Sequence, residues 1–292
     1  MSLSFDYLLQ GLIISSILAL IVWRLRFLEL SGAFGAVIIG TIVFGIKNQY
    51  VSGLDRWIFV IPLLFFFFSS IALSFIRNDR KRSAMKYAEK DGPRDFWQVL
   101  ANGGLPALII LTGFSVNPEF YDIDRIVYVQ FAFGAALSVA IADTWATEIG
   151  TLSPESPRRL FDLKKLEPGQ SGGITILGIV VSFIAGLFIP ASAWLYHCSA
   201  FPERFDFIYG LKYFWIFGLT GLLGSLIDSI LGAHFQAVYE CSVCRSTVET
   251  RTHCGQNTVH ISGFKFINND LVNFLSQVFA LPIIYLITTI VW

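Results

Sequence analysis

Two aspartates lie within long apolar segments of this sequence, where ionisable side chains are rare. Asp143 falls in one such segment and Asp228 in another, and Glu148 follows Asp143 by five residues. Ionisable side chains inside membrane helices are costly and usually face a bundle interior or a wet cavity. Carboxylates also bind Mg²⁺, which keeps several waters and is shared with substrate phosphates. Asp143 and Asp228 are therefore the predicted Mg²⁺ ligands, and Glu148 would reach the site only if its helix ends or unwinds there.

A glycine-rich turn suits an anionic ligand. Ser171-Gly172-Gly173 leads into a further apolar segment, and the N–H groups at a helix N-terminus attract anions. Charge-assisted contacts to phosphate would come from three consecutive basic residues, Arg80, Lys81 and Arg82. Together with the acids, these parts match phosphoryl or nucleotidyl transfer, where catalysis is mainly positioning and charge neutralisation. No Gly-x-x-x-x-Gly-Lys motif occurs in the sequence, which excludes a P-loop enzyme.

Amide side chains open two further apolar segments. Asn102 lies at the start of one, while Asn269, Asn273 and Gln277 recur every four residues at the start of another. Residues four apart lie on one face of a helix. We expect Asn102, Asn269 and Asn273 to orient the substrate or metal-bound water.

Small residues accompany both aspartates at helical spacing. Asp228 shares a stripe with Gly221, Gly224, Ser225 and Gly232, and Asp143 shares one with alanines, Thr147 and Gly150. Such stripes are most simply explained by close helix packing, and a single Asp near a helix end is often a cap. The two acids, the asparagines and the glycine turn together favour a functional site at one end of the helices.

A separate cluster of cysteines and histidines has the spacing of a metal site. Cys241-x-x-Cys244 is followed by His253-Cys254 and then by His260. Three Cys and one His form a common tetrahedral set for structural Zn²⁺. Because His253 adjoins Cys254, we expect His260 to be the better fourth ligand, with His253 as the alternative. A reducing cytosolic loop argues against a disulfide.

The composition identifies the elements that must position these residues. The chain is 54% hydrophobic and only 14% charged, its mean hydropathy is +0.64, and a soluble domain carries about 25% charged residues. Its zero net charge argues against a nucleic-acid partner. We therefore predict an all-α, polytopic transmembrane bundle, since a helix satisfies its own backbone in lipid.

Eight apolar segments are candidates for crossing the membrane, which needs about 20 residues. They are Tyr7–Trp23, Ala33–Ile46, Trp57–Ile76, Phe96–Phe114, Ile126–Ile149, Ile174–His197, Tyr213–Phe235 and Leu271–Trp292. The loops after the odd-numbered segments hold sixteen Lys and Arg residues, and the other side holds five. The positive-inside rule then places the odd-numbered loops, and all the residues above, in the cytosol, with both ends of the chain outside.

The chain is predicted to be one integral membrane domain over residues 1–292. Its cytosolic loops would be 77–95, 151–173 and the cysteine loop 236–268. The second and sixth segments open with similar Ser-Gly sequences at Ser31 and Ser171, and the fourth and eighth share an Asn and a later Pro. This pattern suggests a parallel internal repeat of four plus four helices, as in transporters built from repeats.

Five sequence blocks resemble those of the integral-membrane family defined by domain of unknown function 92, which contains transmembrane protein 19 and plant phytyl-phosphate kinase. The blocks are Gln98–Gly103, Ala142–Gly150, Gly169–Ile174, Gly224–Ala233 and Asn268–Asn273. They occur in the family's order and extend over nearly the whole chain. Two positions depart from the family pattern: Gln170 stands where Thr is usual, and Asn268, which cannot supply a charge to a metal, stands where Asp is usual.

The resemblance implies a kinase that converts a polyprenyl or phytyl monophosphate to the diphosphate. The donor would be a nucleoside triphosphate, CTP or ATP. CTP is favoured because the Asp-x-x-Ala-x-x-x-Gly pattern from Asp143 to Gly150 resembles that of CTP-using lipid kinases. The alternative is a transporter or flippase for a lipid phosphate or small anion, since acids and amides on small-residue helices also build coupling-ion sites. The oligomeric state is not predicted.

Overall fold

The structure is a computed structural model, and it describes residues 2–3, 5–47, 56–76, 92–115, 123–200 and 207–291. Within these ranges the chain forms eight helices, each overlapping one of the eight apolar segments. They are α1 Phe5–Arg24, α2 Leu30–Phe44, α3 Trp57–Ser74, α4 Phe96–Ser115, α5 Ile123–Gly150, α6 Ile176–Ala200, α7 Phe207–His234 and α8 Asn269–Val291.

Short strands form small sheets between the helices. They are β1 Ser2–Leu3, β2 Ile46–Lys47, β3 Arg158–Arg159, β4 Gly173–Ile174, β5 Val238–Glu240, β6 Thr247–Val248, β7 Thr252–His253, β8 Gln256–Asn257 and β9 Val259–Ser262. Strands β1 and β2 pair antiparallel, as do β3 and β4, and β7 and β8. The remaining three form a sheet in the order β6-β5-β9.

Six of the described helices are long and apolar enough to cross a membrane, namely α1, α3, α4, α5, α7 and α8. Helix α2 has 15 residues, which is about 22 Å at 1.5 Å per residue and shorter than a hydrocarbon core of about 30 Å. In α6, an apolar stretch covers Ile176–Ala191 among the residues whose side chains the structure describes. The chain is thus an integral membrane helical bundle, while the count of eight spans and the four-plus-four repeat stay predictions.

Helix α5 lies at the centre of the bundle and contacts α3, α4, α6, α7 and α8. Its residues from Phe133 to Ala142 are buried without interruption, as expected for a helix enclosed on every side. Peripheral helices instead expose large apolar side chains, such as Ile13 and Ile17 on α1 and Tyr285 and Leu286 on α8. This arrangement fits a surface in contact with lipid rather than water.

Glycines allow α7 to lie close against α5. A Cβ added at Gly221 would be 2.9 Å from the Cβ of Ala142 and 3.1 Å from the carbonyl oxygen of Ser138, and one added at Gly224 would overlap Val139. The predicted packing role of the stripe on α7 therefore agrees with the structure. Because Asp228 lies two turns after Gly221 on the same helix, this close approach also brings Asp228 towards α5.

Helix starts near one end of the bundle are fixed by side-chain caps. At α4, the Asp95 carboxylate accepts from the N–H of Gln98 at 2.9 Å, and the Gln98 side chain accepts from the N–H of Asp95 at 3.1 Å. This reciprocal pair is a capping box with Asp as the cap. At α8, Asn268 Oδ1 accepts from the N–H of Leu271 at 3.0 Å. Asn268 is therefore a helix cap, a role that Asn fills as well as Asp.

Candidate functional site

A polar cavity of about 760 Å³ opens at one end of the bundle. The connections after α1, α3, α5 and α7 all contribute to its lining, together with residues of α3 to α8. Nine of the residues that the sequence predicted for the site line this cavity: Asn102, Asp143, Glu148, Ser171, Gly172, Gly173, Asp228, Asn269 and Asn273. Arg80, Lys81 and Arg82 lie outside the described residues.

The two aspartates face this cavity from adjacent helices. Asp143 on α5 and Asp228 on α7 both line it. The Oδ2 atom of Asp228 and the Oδ1 atom of Asn273 are buried and have no hydrogen-bond partner within the described part of the chain. Buried acceptors without a donor are uncommon in folded proteins. A hydrated cation would supply the missing contacts, so the donor set fits Mg²⁺.

Glu148 and Arg94 add opposite charges to the cavity. Helix α5 ends at Gly150, two residues after Glu148, and the Glu148 side chain lines the cavity from this last turn. Burial lowers the pKa of the Arg94 guanidinium from its ordinary value, and the Glu148 carboxylate opposes that shift. Arginine remains cationic under these conditions. Arg94 is thus a cation facing the cavity from outside the helices.

The backbone around Arg94 is fixed by the loop after α1. Arg94 donates its N–H to the carbonyl of Phe27 at 3.1 Å and accepts from the N–H of Glu29 at 3.0 Å. A Cβ at Gly32 would overlap the Arg94 carbonyl, so α2 also packs tightly on this segment. Arg94 was not singled out from the sequence. The sequence feature that could have indicated Arg94 is its position as the last basic residue before the capping box of α4.

The glycine turn differs from its predicted position at a helix N-terminus. Helix α6 begins at Ile176, and Thr175 caps it by accepting from the N–H of Gly178 at 3.0 Å. Ser171 and Gly172 lie upstream, where the chain turns into β4. The N–H of Gly173 donates to the carbonyl of Gln170 at 3.3 Å, so phosphate contacts from this turn would come from Ser171 and Gly172.

Gly172 is required at its position by backbone geometry and by packing. Its φ is +79°, a left-handed conformation that side chains other than glycine rarely adopt. A Cβ there would also overlap Ala233 on α7. The turn is therefore held directly against the helix that carries Asp228.

The Ser171 side chain reaches two residues that were not predicted from the sequence. Its hydroxyl donates to Oε1 of Glu249 at 2.5 Å and lies 3.1 Å from Oε1 of Gln236. Glu249 also lines the cavity. Glu249 belongs to the cysteine loop, which is distant in sequence from every other acid of the site. No spacing rule could have joined it to Asp143 or Asp228.

The asparagines and the glutamine have separate roles. Asn102 donates to the carbonyl of Gln98 at 3.0 Å and lines the cavity with Asn269 and Asn273. Gln277, the last member of the predicted stripe, is fully buried and donates to the carbonyl of Ala101 at 2.7 Å. This bond joins α8 to α4, so Gln277 holds the two asparagine-bearing helices together.

One wall of the cavity is apolar. Phe27, Phe67, Ile71 and Ile76 line it beside the polar groups. Helix α3, which carries Phe67 and Ile71, is tied to α5 by a hydrogen bond from the indole N–H of Trp145 to Ser69 Oγ at 3.2 Å. The cavity therefore presents acids, amides and a cation next to an apolar surface.

The cysteine loop brings four potential metal ligands together. One ligand atom each from Cys241, Cys244, His253 and Cys254 lies within 4.8 Å of every other. The structure places His253, the alternative given by the sequence, with the thiols, and it places His260 elsewhere. His260 lies on β9 with its ring packed on Tyr239 at 5.4 Å, while the β7–β8 hairpin turns His253 towards the thiols.

Comparisons with known proteins agree on one family. The family model described as integral membrane protein DUF92 matches residues 13–281. Protein PGR of Arabidopsis thaliana is 30% identical over 92% of both chains. An uncharacterized membrane protein of Methanocaldococcus jannaschii is 28% identical over 78% of this chain and 83% of its own length. No solved structure matches the chain at a significant level.

Proposed function

The chain belongs to the integral membrane protein family DUF92, and from this premise we propose that it is a membrane-embedded lipid-phosphate kinase. It would transfer a phosphoryl group from a nucleoside triphosphate, CTP or ATP, to an isoprenoid or phytyl monophosphate. The reaction would take place in the cavity between α5 and α7, at the cytosolic end of the bundle.

The observation that carries this proposal is the convergence of phosphate-handling groups on one cavity. Asp143 and Asp228 come from two helices, Arg94 and Ser171 from two connections, and Asn273 from a third helix. Acids that hold a divalent cation and donors that hold phosphate oxygens are the recurring parts of phosphoryl-transfer sites. Asp228 Oδ2 and Asn273 Oδ1, which are buried without a donor among the described residues, support a bound cation here.

The apolar wall supports an amphipathic acceptor. A lipid monophosphate has a charged head and a long chain, and the cavity places Phe67 and Ile71 next to its polar groups. The chain of such a lipid would lie along α3, while its phosphate would meet Arg94 and Ser171. A soluble sugar phosphate would leave this wall without a partner.

Asp143, Asp228 and the Asn273 side chain would hold the Mg²⁺ ion. When bound, the ion neutralises charge on the phosphate oxygens. An oxygen of the lipid monophosphate bonds to the γ-phosphorus, the bond from that phosphorus to the β–γ bridging oxygen breaks, and the nucleoside diphosphate leaves. The attacking oxygen is already anionic, so the protein need not supply a strong general base. Arg94 and Ser171 orient the phosphates.

The charge distribution supports a cytosolic site. Sixteen of the 21 Lys and Arg residues fall in the loops on the cavity's side of the predicted topology, and such loops are usually cytosolic. Nucleoside triphosphates are available on that side.

The test is phosphoryl transfer by full-length protein purified in detergent. Radiolabelled CTP or ATP is supplied with phytyl or geranylgeranyl monophosphate and Mg²⁺, and the diphosphate is separated. We expect product in the wild type and a loss of at least about 100-fold in Asp143→Asn and Asp228→Asn. Asp162→Asn is the matched control, because Asp162 pairs with Arg159 at 3.6 Å on the exposed loop after α5.

Full activity in Asp143→Asn would refute the metal role. Absence of product with both nucleotides, in monodisperse wild-type protein, would refute the kinase and favour the transporter. Uptake of labelled lipid phosphate into proteoliposomes would then measure that alternative.

A further inference from the structure

The cysteine loop has a very small folded core of its own. Its buried apolar cluster consists of Ala237, Tyr239 and Val248, although 34 residues lie between α7 and α8. A core of this size does not stabilise a fold by itself. Small domains with so little buried apolar surface use a bound metal or disulfide bonds to hold the chain together. The three cysteines described in the loop are free.

Two tight turns bring the cysteines together. In the first, Arg245 donates its N–H to the carbonyl of Cys241 at 2.9 Å and adopts a φ of 60°. In the second, Cys254 and Gly255 join β7 to β8 with φ values of 51° and 72°. Left-handed conformations in residues other than glycine are uncommon and often accompany functional sites. Here each of them turns the chain so that a thiol faces the same point.

The ligand atoms have the spacing of a tetrahedral metal site. Nδ1 of His253 lies 3.4 Å from Sγ of Cys244 and 3.3 Å from Sγ of Cys254. Zn–S bonds of about 2.3 Å place tetrahedral sulfur ligands roughly 3.8 Å apart, and the four ligand atoms lie within 4.8 Å of one another. Cys241 is fully buried, while Cys244 and Cys254 are exposed. Metal could therefore enter from solvent.

We propose that Cys241, Cys244, His253 and Cys254 bind one Zn²⁺ ion, and that this ion holds Glu249 in place against Ser171. Glu249 lies one residue after β6, and the ligand His253 follows it by four residues. Its contact to Ser171, beside that of Gln236, links the loop to the cavity. The zinc binding is independent of the proposed kinase, and only the effect of the loop on activity rests on that function.

The first measurement is elemental analysis of full-length protein purified without added metal. We expect about one zinc per chain in the wild type, and a loss of at least 80% of it in Cys244→Ser and Cys254→Ser. Cys198→Ser, a cysteine on α6, is the matched thiol control and should retain the metal. His253→Ala should lose zinc, whereas His260→Ala should retain it.

Wild-type protein without zinc, which also fails to take up added Zn²⁺ in competition with a chromogenic chelator, would overturn the proposal. Retention of zinc in His253→Ala with loss in His260→Ala would overturn this ligand set. A disulfide among these cysteines, found by thiol labelling and mass spectrometry, would overturn the metal in favour of a redox link.

The second measurement asks whether zinc holds the loop. Trypsin is added to wild-type protein before and after chelation, and cleavage after Arg245 and Arg251 is followed by mass spectrometry. We expect cleavage to accelerate at least fivefold on chelation and to slow again when Zn²⁺ is restored. An unchanged rate after confirmed zinc removal would refute the positioning role, and neither measurement depends on kinase activity.

Discussion

The cavity between α5 and α7 and the cysteine loop position their residues by different means. In the cavity, helix packing positions the residues. Gly221 and Gly224 let α7 approach α5 closely, and Asp228 follows them on the same face of α7. In the loop, only three apolar residues are buried together, and tight turns bring the side chains into contact. The packed helices thus form a rigid half, while the loop has little apolar core of its own, and zinc is the link that we propose for it.

Glu249 connects the two halves. It lies in the loop, but it contacts Ser171 and lines the cavity. Substitutions at the glycines that pack α7 against α5 should therefore disturb folding and activity together. Substitutions in the loop should reduce activity while the bundle stays folded.

The largest effect is expected from Gly221→Val. A Cβ at this position would be 2.9 Å from Ala142 and 3.1 Å from Gly186, so α7 must move away from both α5 and α6. Overpacking of this kind costs about 1–3 kcal/mol, and a displacement near 1 Å reduces catalysis about 100-fold. Thermal unfolding in detergent and the kinase assay would measure both effects.

Gly104→Ala and Gly221→Ala form the matched pair for this prediction. A Cβ at Gly104 would meet only the side chain of Leu100, one turn away on the same helix. That side chain can move, and alanine favours helix by up to about 1 kcal/mol over glycine. We expect Gly104→Ala to be neutral or stabilising and Gly221→Ala to be destabilising. Equal effects of the two substitutions on stability and activity would show that the close approach of α5 and α7 does not determine the geometry of the site.

A smaller effect is expected from Glu249→Gln. Hydrogen bonds to charged groups contribute about 1.5–3 kcal/mol, so activity should fall roughly 10- to 100-fold with little change in thermal stability. Glu240→Gln is the control, because Glu240 lies on the same loop and pairs with Arg245 at 3.0 Å on the surface.

The same variant tests whether the loop acts through zinc. Residues that act as one unit show non-additive effects. In zinc-depleted protein, Glu249→Gln should therefore cause little further loss of activity. Full additivity of chelation and substitution would show that Glu249 is positioned independently of the metal.

The sequence predicted the helical half of the site much better than the loop half. Helical spacing and the sidedness of the loops placed Asp143, Asp228 and the asparagines at one end, and all of them line one cavity. Helical periodicity is regular, so residues on one face can be read directly. Arg94 was missed because backbone contacts with the loop after α1 position it, and Glu249 because it reaches the cavity by a side-chain contact from a loop distant in sequence.

The choice between His253 and His260 as the fourth metal ligand also depended on backbone geometry that residue spacing does not reveal. Sequence adjacency of His253 and Cys254 argued against their sharing a metal, and His260 was preferred. The turn at Cys254, with its φ of 51°, reverses the chain so that both neighbours face one point. A left-handed cysteine leaves no sequence signal beyond the glycine that follows it.

A moderate effect on nucleotide or lipid binding is expected from Arg94→Lys. Lysine keeps the charge but lacks the planar fork that binds phosphate through two hydrogen bonds. We expect KM for nucleotide or lipid phosphate to rise about tenfold with kcat changed less. Arg159→Lys, in the loop after α5, should leave both constants unchanged. A fall in kcat alone would instead place Arg94 at the transferred phosphoryl group.

The smallest effects are expected at Asn268, where this chain departs from the family pattern. If this side chain only caps α8, Asn268→Asp should keep activity, and its stability should change by less than about 0.5 kcal/mol. Asn268→Ala removes the acceptor for the N–H of Leu271 and should cost about 1 kcal/mol. Thermal unfolding and the kinase assay, run on both variants, separate the two roles. A gain in Mg²⁺ affinity or activity in Asn268→Asp would show that this position belongs to the metal site, because capping alone gives aspartate no catalytic advantage over asparagine.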